Sequence, residues 1–362
     1  MADISDKAKI RAIGQLVHWM FSHLVNKGVI EAEEALRTID RMIENFKKGN
    51  DEHVQAAQHL ELIRTGVWPI SRPNPRGVRM PVNLQEIQSL IEQHNAGWIA
   101  EDNPISRLSP EERVRRHGAM EPRPAIPFTG HVHYHTGTGL PARFDYRNIN
   151  GKNYVTKIRD QCAADLSACC GACVAFSCVG AIEATISRQR SRNNPTIHLS
   201  EAHLFFCYGH QDGANCTTPW WPEKALPHCV NQGLVDDKCF PYTPHDQLCN
   251  LCADWQNRLT KIKTFAKLGS QAAIKDWLVN RGAVVVTMDV YEDFYCYISG
   301  VYKHVWGALD VNKHCMACIG YDDGAGCWIC KNSWGPDHGE RGFYRIGYGQ
   351  CRIDSWHVLG VE

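Results

Sequence analysis

The apolar positions of the first 66 residues fall at helical spacing. Ile10, Ile13, Val17, Phe21 and Leu24 recur at three- and four-residue steps, and Gly28 stands where such a helix stops. Leu36, Ile39, Ile43 and Phe46 repeat the pattern up to Gly49, and a weaker third helix is predicted from Glu52 to Arg64. The next stretch, VWPISRPNPRGVRMPV, holds four prolines and reads as a linker. Asn83, with Glu86 three positions on, predicts a capped helix whose apolar face is Leu84, Ile87, Leu90 and Ile91. After about Leu140 the pattern shortens. Ala283 to Val290 reads as a buried strand, and Cys315–Tyr321 and Cys327–Lys331 as two strands joined by the turn YDDGAG. The chain therefore divides into a helical region over 1–66, a linker-like segment over 67–139 and a mixed α and β domain over 140–362.

Composition changes this picture little, and charge excludes some functions. The 362 residues carry 39 Lys plus Arg against 39 Asp plus Glu. No basic stripe points to nucleic acid. No apolar run reaches the 18 residues that a membrane-spanning helix needs. The N-terminal MADISDKAKIRAIG is charged where a signal peptide is apolar, so the cytosol or a non-classical export route is expected.

Cysteine is the informative residue. There are 17, an odd number, and five lie in CAADLSACCGACVAFSC, Cys162 to Cys178. Such a cluster could bind metal, form disulfides or hold a reactive thiol. Four Cys-x-x-Cys pairs exist: Cys170/Cys173, Cys249/Cys252, Cys315/Cys318 and Cys327/Cys330. The last two lie on predicted strands, where positions i and i+3 face opposite ways and cannot chelate one ion. The first opens a helix-like run rather than a tight turn. No metal and no cofactor are expected, and most cysteines read as small buried core residues.

One thiol reads differently. Cys170-Gly171-Ala172-Cys173 fits the local signature of a nucleophilic cysteine, with Val174 where an aromatic residue is usual. At the first turn of a helix the dipole favours thiolate, the attacking species. His314 and Asn332 follow Cys173 by 141 and 159 residues, close to the expected offset of about 130–150. Asn332 can accept the imidazole N–H, and Trp334 can shield that bond. Gln161 can donate its amide to an oxyanion together with the Cys173 N–H.

From LPARFDYRN onward the chain resembles the papain-family cysteine peptidases, nearer their cathepsin B-like branch. IRDQC, CCGACVAFS, LSEAHLFFC, the segment around His314 and KNSWGPDHGERGFYRI carry the likeness in order. The resemblance implies an α+β fold, with a helical subdomain and a β-barrel-like subdomain divided by a cleft. It also implies catalytic Cys173, His314, Asn332 and Gln161, and substrate contacts at Thr217, Thr218, Pro219 and Trp334. Cys170–Cys216 and Cys207–Cys249 occupy family disulfide positions. Cys162 and Cys169 bracket an insertion of about six residues and could pair, while Cys178 reads as core. GWIAEDNPISRLSPEERVRRHG, Gly97 to Gly118, resembles a segment that precedes the catalytic domain in some members, acting as a propeptide or lying across the cleft. The helices of 1–66 then serve a partner or are a packing appendage.

Three departures qualify the likeness. The insertion lies beside the oxyanion glutamine. Pro219 and two threonines stand where glycines usually let substrate pair with the backbone, with Trp220 and Trp221 crowding the same region. Lys313 precedes His314, with little effect expected because strand neighbours face opposite ways. The stretch from Cys216 to Cys249 is short for an occluding loop, so no dipeptide-releasing activity is expected. The function expected is endopeptidase action through an acyl-enzyme on a protein or peptide substrate. The alternatives are a papain-fold binding protein or an acyltransferase.

Overall fold

The computed structural model describes Arg41 and residues 82–120, 131–133, 139–310, 312–356 and 358–362. The helices expected over 1–66, and any partner they bind, lie outside the described residues, a helical Arg41 apart. Pro81–Val305 together with Leu309–Glu362 form one compact unit. No helix among the described residues is long and apolar enough to cross a membrane.

Helix α1, Leu84–Gln93, begins as its sequence predicts. Asn83 Oδ1 accepts the Glu86 N–H, and the Asn83 amide donates to the Glu86 carboxylate, so the reciprocal arm ends on a side chain. Ile87 and Ile91 are its buried positions. Strand β1, Trp98–Ala100, pairs antiparallel with β6, Tyr297–Tyr302. A short helix α2, Pro110–Val114, follows, with a complete capping box from Ser109 and Glu112.

The other strands are β2 His131–His133, β3 Arg143–Asp145, β4 Phe265–Leu268, β5 Val284–Met288, β7 His314–Asp322, β8 Cys327–Lys331, β9 Phe343–Gly347 and β10 Leu359–Val361. They join in the order β1-β6-β9-β8-β7-β5-β10-β4-β2, with β3 also on β7. The strands expected after Ala283, Cys315 and Cys327 are all present within a residue or two. A register shift between Cys318 and Gly320 lets β7 bend against β8. Gly320 is required there, because a Cβ would sit 2.2 Å from the Phe144 carbonyl oxygen.

Helix α3, Cys173–Gln189, is buried from Cys173 to Ser187. A helix apolar on nearly every side needs partners on every side. It packs on β7 and β5 and on α4, Pro222–Asn231. Gly180 makes the approach to β7 close, at 3.4 Å from a virtual Cβ to Ala317 Cβ. A π-helical stretch, His203–Gly209, and α5, Gln271–Asn280, complete the helices.

Four disulfides are present: Cys162–Cys169, Cys170–Cys216, Cys207–Cys249 and Cys239–Cys252. The free thiols, Cys178 among them, are all buried. Cys315, Cys318, Cys327 and Cys330 stay unbridged on adjacent strands, with Cys318 opposite Cys330.

A buried ionic cluster joins these parts. Arg159 donates to Glu183 on α3 at 2.8 Å and to Glu201 at 2.5 Å. Glu183 also accepts from Thr156 Oγ1 and the Leu199 N–H, and Lys331 at the end of β8 donates to Thr156. Removing one member of such a cluster leaves an uncompensated charge, at a cost of about 3–5 kcal/mol. Glu183→Ala is therefore expected to lower unfolding stability by roughly that amount in urea titration. A loss below about 1 kcal/mol would show that the cluster is not structural.

Candidate active site

Cys173 is the first residue of α3, and His314 is the first of β7. Both side chains are fully buried. His314 Nε2 lies 2.6 Å from Asn332 Oδ1, which also accepts the Ser333 N–H. A carboxamide oxygen only accepts, so Nε2 carries the ring proton and Nδ1 holds the lone pair. His314 Nδ1 has no hydrogen-bond partner among the described residues. The Trp334 ring covers the pair, 4.6 Å from the imidazole between centroids.

Gln161 is buried beside them. Its Oε1 accepts from Ser333 Oγ at 2.7 Å. Its amide donates to the Cys170 carbonyl at 2.8 Å and to the Arg116 carbonyl at 3.1 Å. The following insertion is a loop closed by Cys162–Cys169 and by the Ala163 N–H on the Ala168 carbonyl. Leu166 takes a left-handed backbone conformation at its tip, with φ +63°.

Residues 116–120 run over Cys173 as a strap. The Gly118 N–H donates to Cys173 Sγ at 3.2 Å. The Gly118 carbonyl accepts from the Trp220 N–H at 2.8 Å, and the Met120 N–H donates to the Trp220 carbonyl at 3.1 Å. On the other side Ala119 and Lys313 exchange N–H···O bonds of 3.1 and 3.0 Å. Gly118 has no alternative, since a Cβ there would stand 1.5 Å from the Gly171 carbonyl oxygen. His117 is buried between Trp334 and Tyr295, stacked on both rings. Its Nε2 donates to Tyr295 Oη at 3.1 Å, and that hydroxyl donates to Asp310.

The strap changes the electrostatics that the sequence suggests. A thiol at a helix N-terminus is expected to favour thiolate. Here burial pushes the Cys173 thiol up to about 11, despite the Gly118 N–H acting in the opposite direction. Burial, with His117 adding to it, lowers His314 to about 3 against the hydrogen bond to Asn332. Burial thus disfavours the charged form of both groups in this closed form.

One further expectation is corrected. The Trp220 ring does not crowd the cleft, since it is fully buried and its indole N–H donates to Asp212 at 2.9 Å. The backbone that pairs with the strap is that of Trp220, one position after Pro219. Thr217 and Thr218 are exposed in a turn whose N–H groups donate to Asn215 Oδ1. Lys313 is engaged by Asp289 at 2.8 Å. The Arg116–Met120 contacts, Tyr295 and Asp310 were not picked out as site residues from sequence. The Gly97–Gly118 segment was read by resemblance as a propeptide or as lying across the cleft, but its partners are far away along the chain and were not legible.

Known proteins resemble this chain over the same domain. The profile described as "Papain family cysteine protease" matches residues 140–361. "Cathepsin B-like CP3" of Giardia intestinalis is 30% identical, covering 76% of this chain and 92% of its own. "Cathepsin S" of Mus musculus is 30% identical over 70% of this chain and 73% of its own. Among solved structures, a procathepsin B of Trypanosoma congolense superposes with a TM-score of 0.64 at 22% identity, over 78% of this chain and all of that one. A procathepsin L of Tenebrio molitor reaches 0.62 at 20% identity, over 90% and 98%.

The tightness at Gly118 can be tested directly. Overpacking of this kind costs about 1–3 kcal/mol. Gly118→Val is expected to unseat the strap and speed alkylation of Cys173 by iodoacetamide at neutral pH about tenfold or more. An unchanged rate, read by peptide mass spectrometry, would mean that the strap does not limit access.

Proposed function

The chain belongs to the papain family of cysteine proteases, and from that premise we propose that it is a latent endopeptidase. Cys173, His314 and Asn332 act as the reacting group, and residues 116–120 hold it closed. The observation that carries this reading is the Gly118 N–H on Cys173 Sγ, within a strap bonded on both flanks to the cleft. Protease names among the relatives favour hydrolysis over the binding-protein and acyltransferase readings.

Release of the strap rehydrates the pair. His314 Nδ1 then takes the Cys173 proton, and Asn332 stabilises the imidazolium through Nε2–H. The thiolate attacks the scissile carbonyl. The Gln161 amide, freed from the Arg116 carbonyl, donates to the oxyanion with the Cys173 N–H. His314 returns the proton to the leaving amine, and water releases the acyl group. Cys173→Ala is expected to abolish peptide hydrolysis and labelling by an epoxide thiol inhibitor. Gln161→Ala is expected to keep labelling and lower kcat on the order of 10²-fold. Residual turnover in Cys173→Ala would sink the assignment.

Latency should depend on pH in a stated direction. His314 is depressed from 6.5 to about 3 in the closed form, so its contribution to closure is present above 6.5 and is lost as pH falls toward 3. Cys173 is raised from 9.0 to about 11, so its contribution is present below 9 and is lost as pH climbs toward 11. Limited proteolysis of the strap in the inactive Cys173→Ala chain should accelerate as pH drops below about 6.5. A Cys173→Ala, His314→Gln chain should flatten that rise. Identical profiles in the two chains would remove His314 as the trigger.

A further inference from the structure

Outside the cleft, the turn at His198–Glu201 meets the turn at Asp237. Two backbone contacts fix the encounter. The Asp237 N–H donates to the His198 carbonyl at 2.9 Å, and Leu199 bridges to Asp236 in antiparallel fashion. The Leu199 N–H is tied to Glu183, and the Ser200 N–H to the Val235 carbonyl. Three side chains converge there. His198 Nε2 is 3.6 Å from Glu201 Oε2, and His198 Nδ1 is 3.4 Å from Asp237 Oδ2. One donor atom from each of the three lies within 4.8 Å of the others.

A second observation singles this place out. The Glu201 side chain is only 2% exposed. Its Oε1 accepts from Arg159, whereas Oε2 is buried and has no hydrogen bond among the described residues. A buried carboxylate oxygen left without a donor is costly. This one faces His198 Nε2 at 3.6 Å, an ion-pair distance longer than a direct hydrogen bond.

We propose that His198, Glu201 and Asp237 form a binding site for a first-row divalent cation, Zn²⁺ in particular. One imidazole nitrogen and two carboxylate oxygens, with a fourth position for water, match the ligand types and number of an open zinc site. Ligands about 2.0–2.1 Å from a tetrahedral ion stand about 3.3 Å apart, whereas one donor atom from each residue here lies within 4.8 Å of the others, so the side chains must draw in to hold the ion. The 3.4 and 3.6 Å approaches use different ring nitrogens, so His198 turns its ring to present one nitrogen to both carboxylates. Its side chain is 42% exposed and free to do so, and the same opening admits the ion. The imidazole selects against Ca²⁺ and Mg²⁺, which take oxygen ligands. The site uses none of the Cys-x-x-Cys pairs, so it departs from the expectation of no metal drawn from them. The ion's role is a cross-link. It ties the 198–201 turn to the 237 turn and gives Glu201 Oε2 its missing partner.

The test uses the full chain carrying Cys173→Ala, treated with chelator, since a catalytic thiol and histidine can themselves take zinc. Zn²⁺ is titrated against a chromophoric chelator. One equivalent is expected, and both His198→Ala and Asp237→Asn should weaken it tenfold or more, within the about 10–100-fold range of perturbed metal sites. Zn²⁺ should raise the Tm of the parent and leave that of either variant unmoved. Both substitutions are on exposed or half-exposed side chains, and matching circular dichroism without metal establishes folding. A substitution of Co²⁺ gives an independent reading, since this site contains no thiolate. No saturable zinc binding, binding unchanged in both variants, or a cobalt–thiolate charge-transfer band would each overturn the proposal.

Discussion

A guanidinium held between two buried carboxylates sets the positions of almost everything that matters here. Burial alone would lower Arg159, and Glu201 and Glu183 outweigh it to hold the group above its ordinary value. Glu183 lies on α3, the helix that begins at Cys173. Arg159 is two residues before Gln161, and Lys331, one before Asn332, reaches the same cluster through Thr156. The helix that begins at Cys173, the Gln161 segment and the strand leading into Asn332 are thus fastened to one buried set of charges. A cavity of about 10 Å³, room for a single water, lies between Arg159, Glu201, Lys331 and Asn332. Such a cluster adds little net stability over an apolar core, but its directional bonds fix geometry in a way apolar packing does not.

The strap works by different physics. Its hold on the cleft is mostly backbone, through Gly118, Ala119 and Met120. Its side chains are less well matched. Arg116, and Arg113 in the preceding helix α2, are nearly fully buried, yet Arg113 Nε and Nη1 and Arg116 Nε lack hydrogen bonds among the described residues. Burial pushes Arg116 down, with Asp160 only partly compensating. Buried guanidinium N–H groups without acceptors disfavour the docked state. The strap is therefore held by an edge pairing and opposed by buried cations.

The candidate triad was legible because its chemistry constrains local sequence. Cys173 needed a helix start after Cys-Gly-Ala, and His314 and Asn332 needed adjacent strands, which show as short apolar runs. The strands after Ala283, Cys315 and Cys327 were readable for the same reason. What was not legible is what depends on distant partners. Gly118 meets Cys173 across 55 positions, and Asn103 donates to the Tyr295 carbonyl across 192. The protonation state of the thiol followed the same rule. Sequence gave it a helix dipole, which favours thiolate, while the strap supplied burial, and burial is the larger effect. The role of Trp220 was missed because residue type suggests a wall, whereas its backbone makes the contact and its ring turns inward.

Glu201 brings the two ends of the argument together. Its Oε1 completes the Arg159 cluster, and its Oε2 faces His198 and Asp237 at the surface. A carboxylate with one oxygen in a rigid buried network is a well-oriented ligand for whatever approaches the other. Its negative charge is already favoured by Arg159, which overcomes the burial that would otherwise protonate it. The surface cluster and the buried network thus share one carboxylate, Glu201.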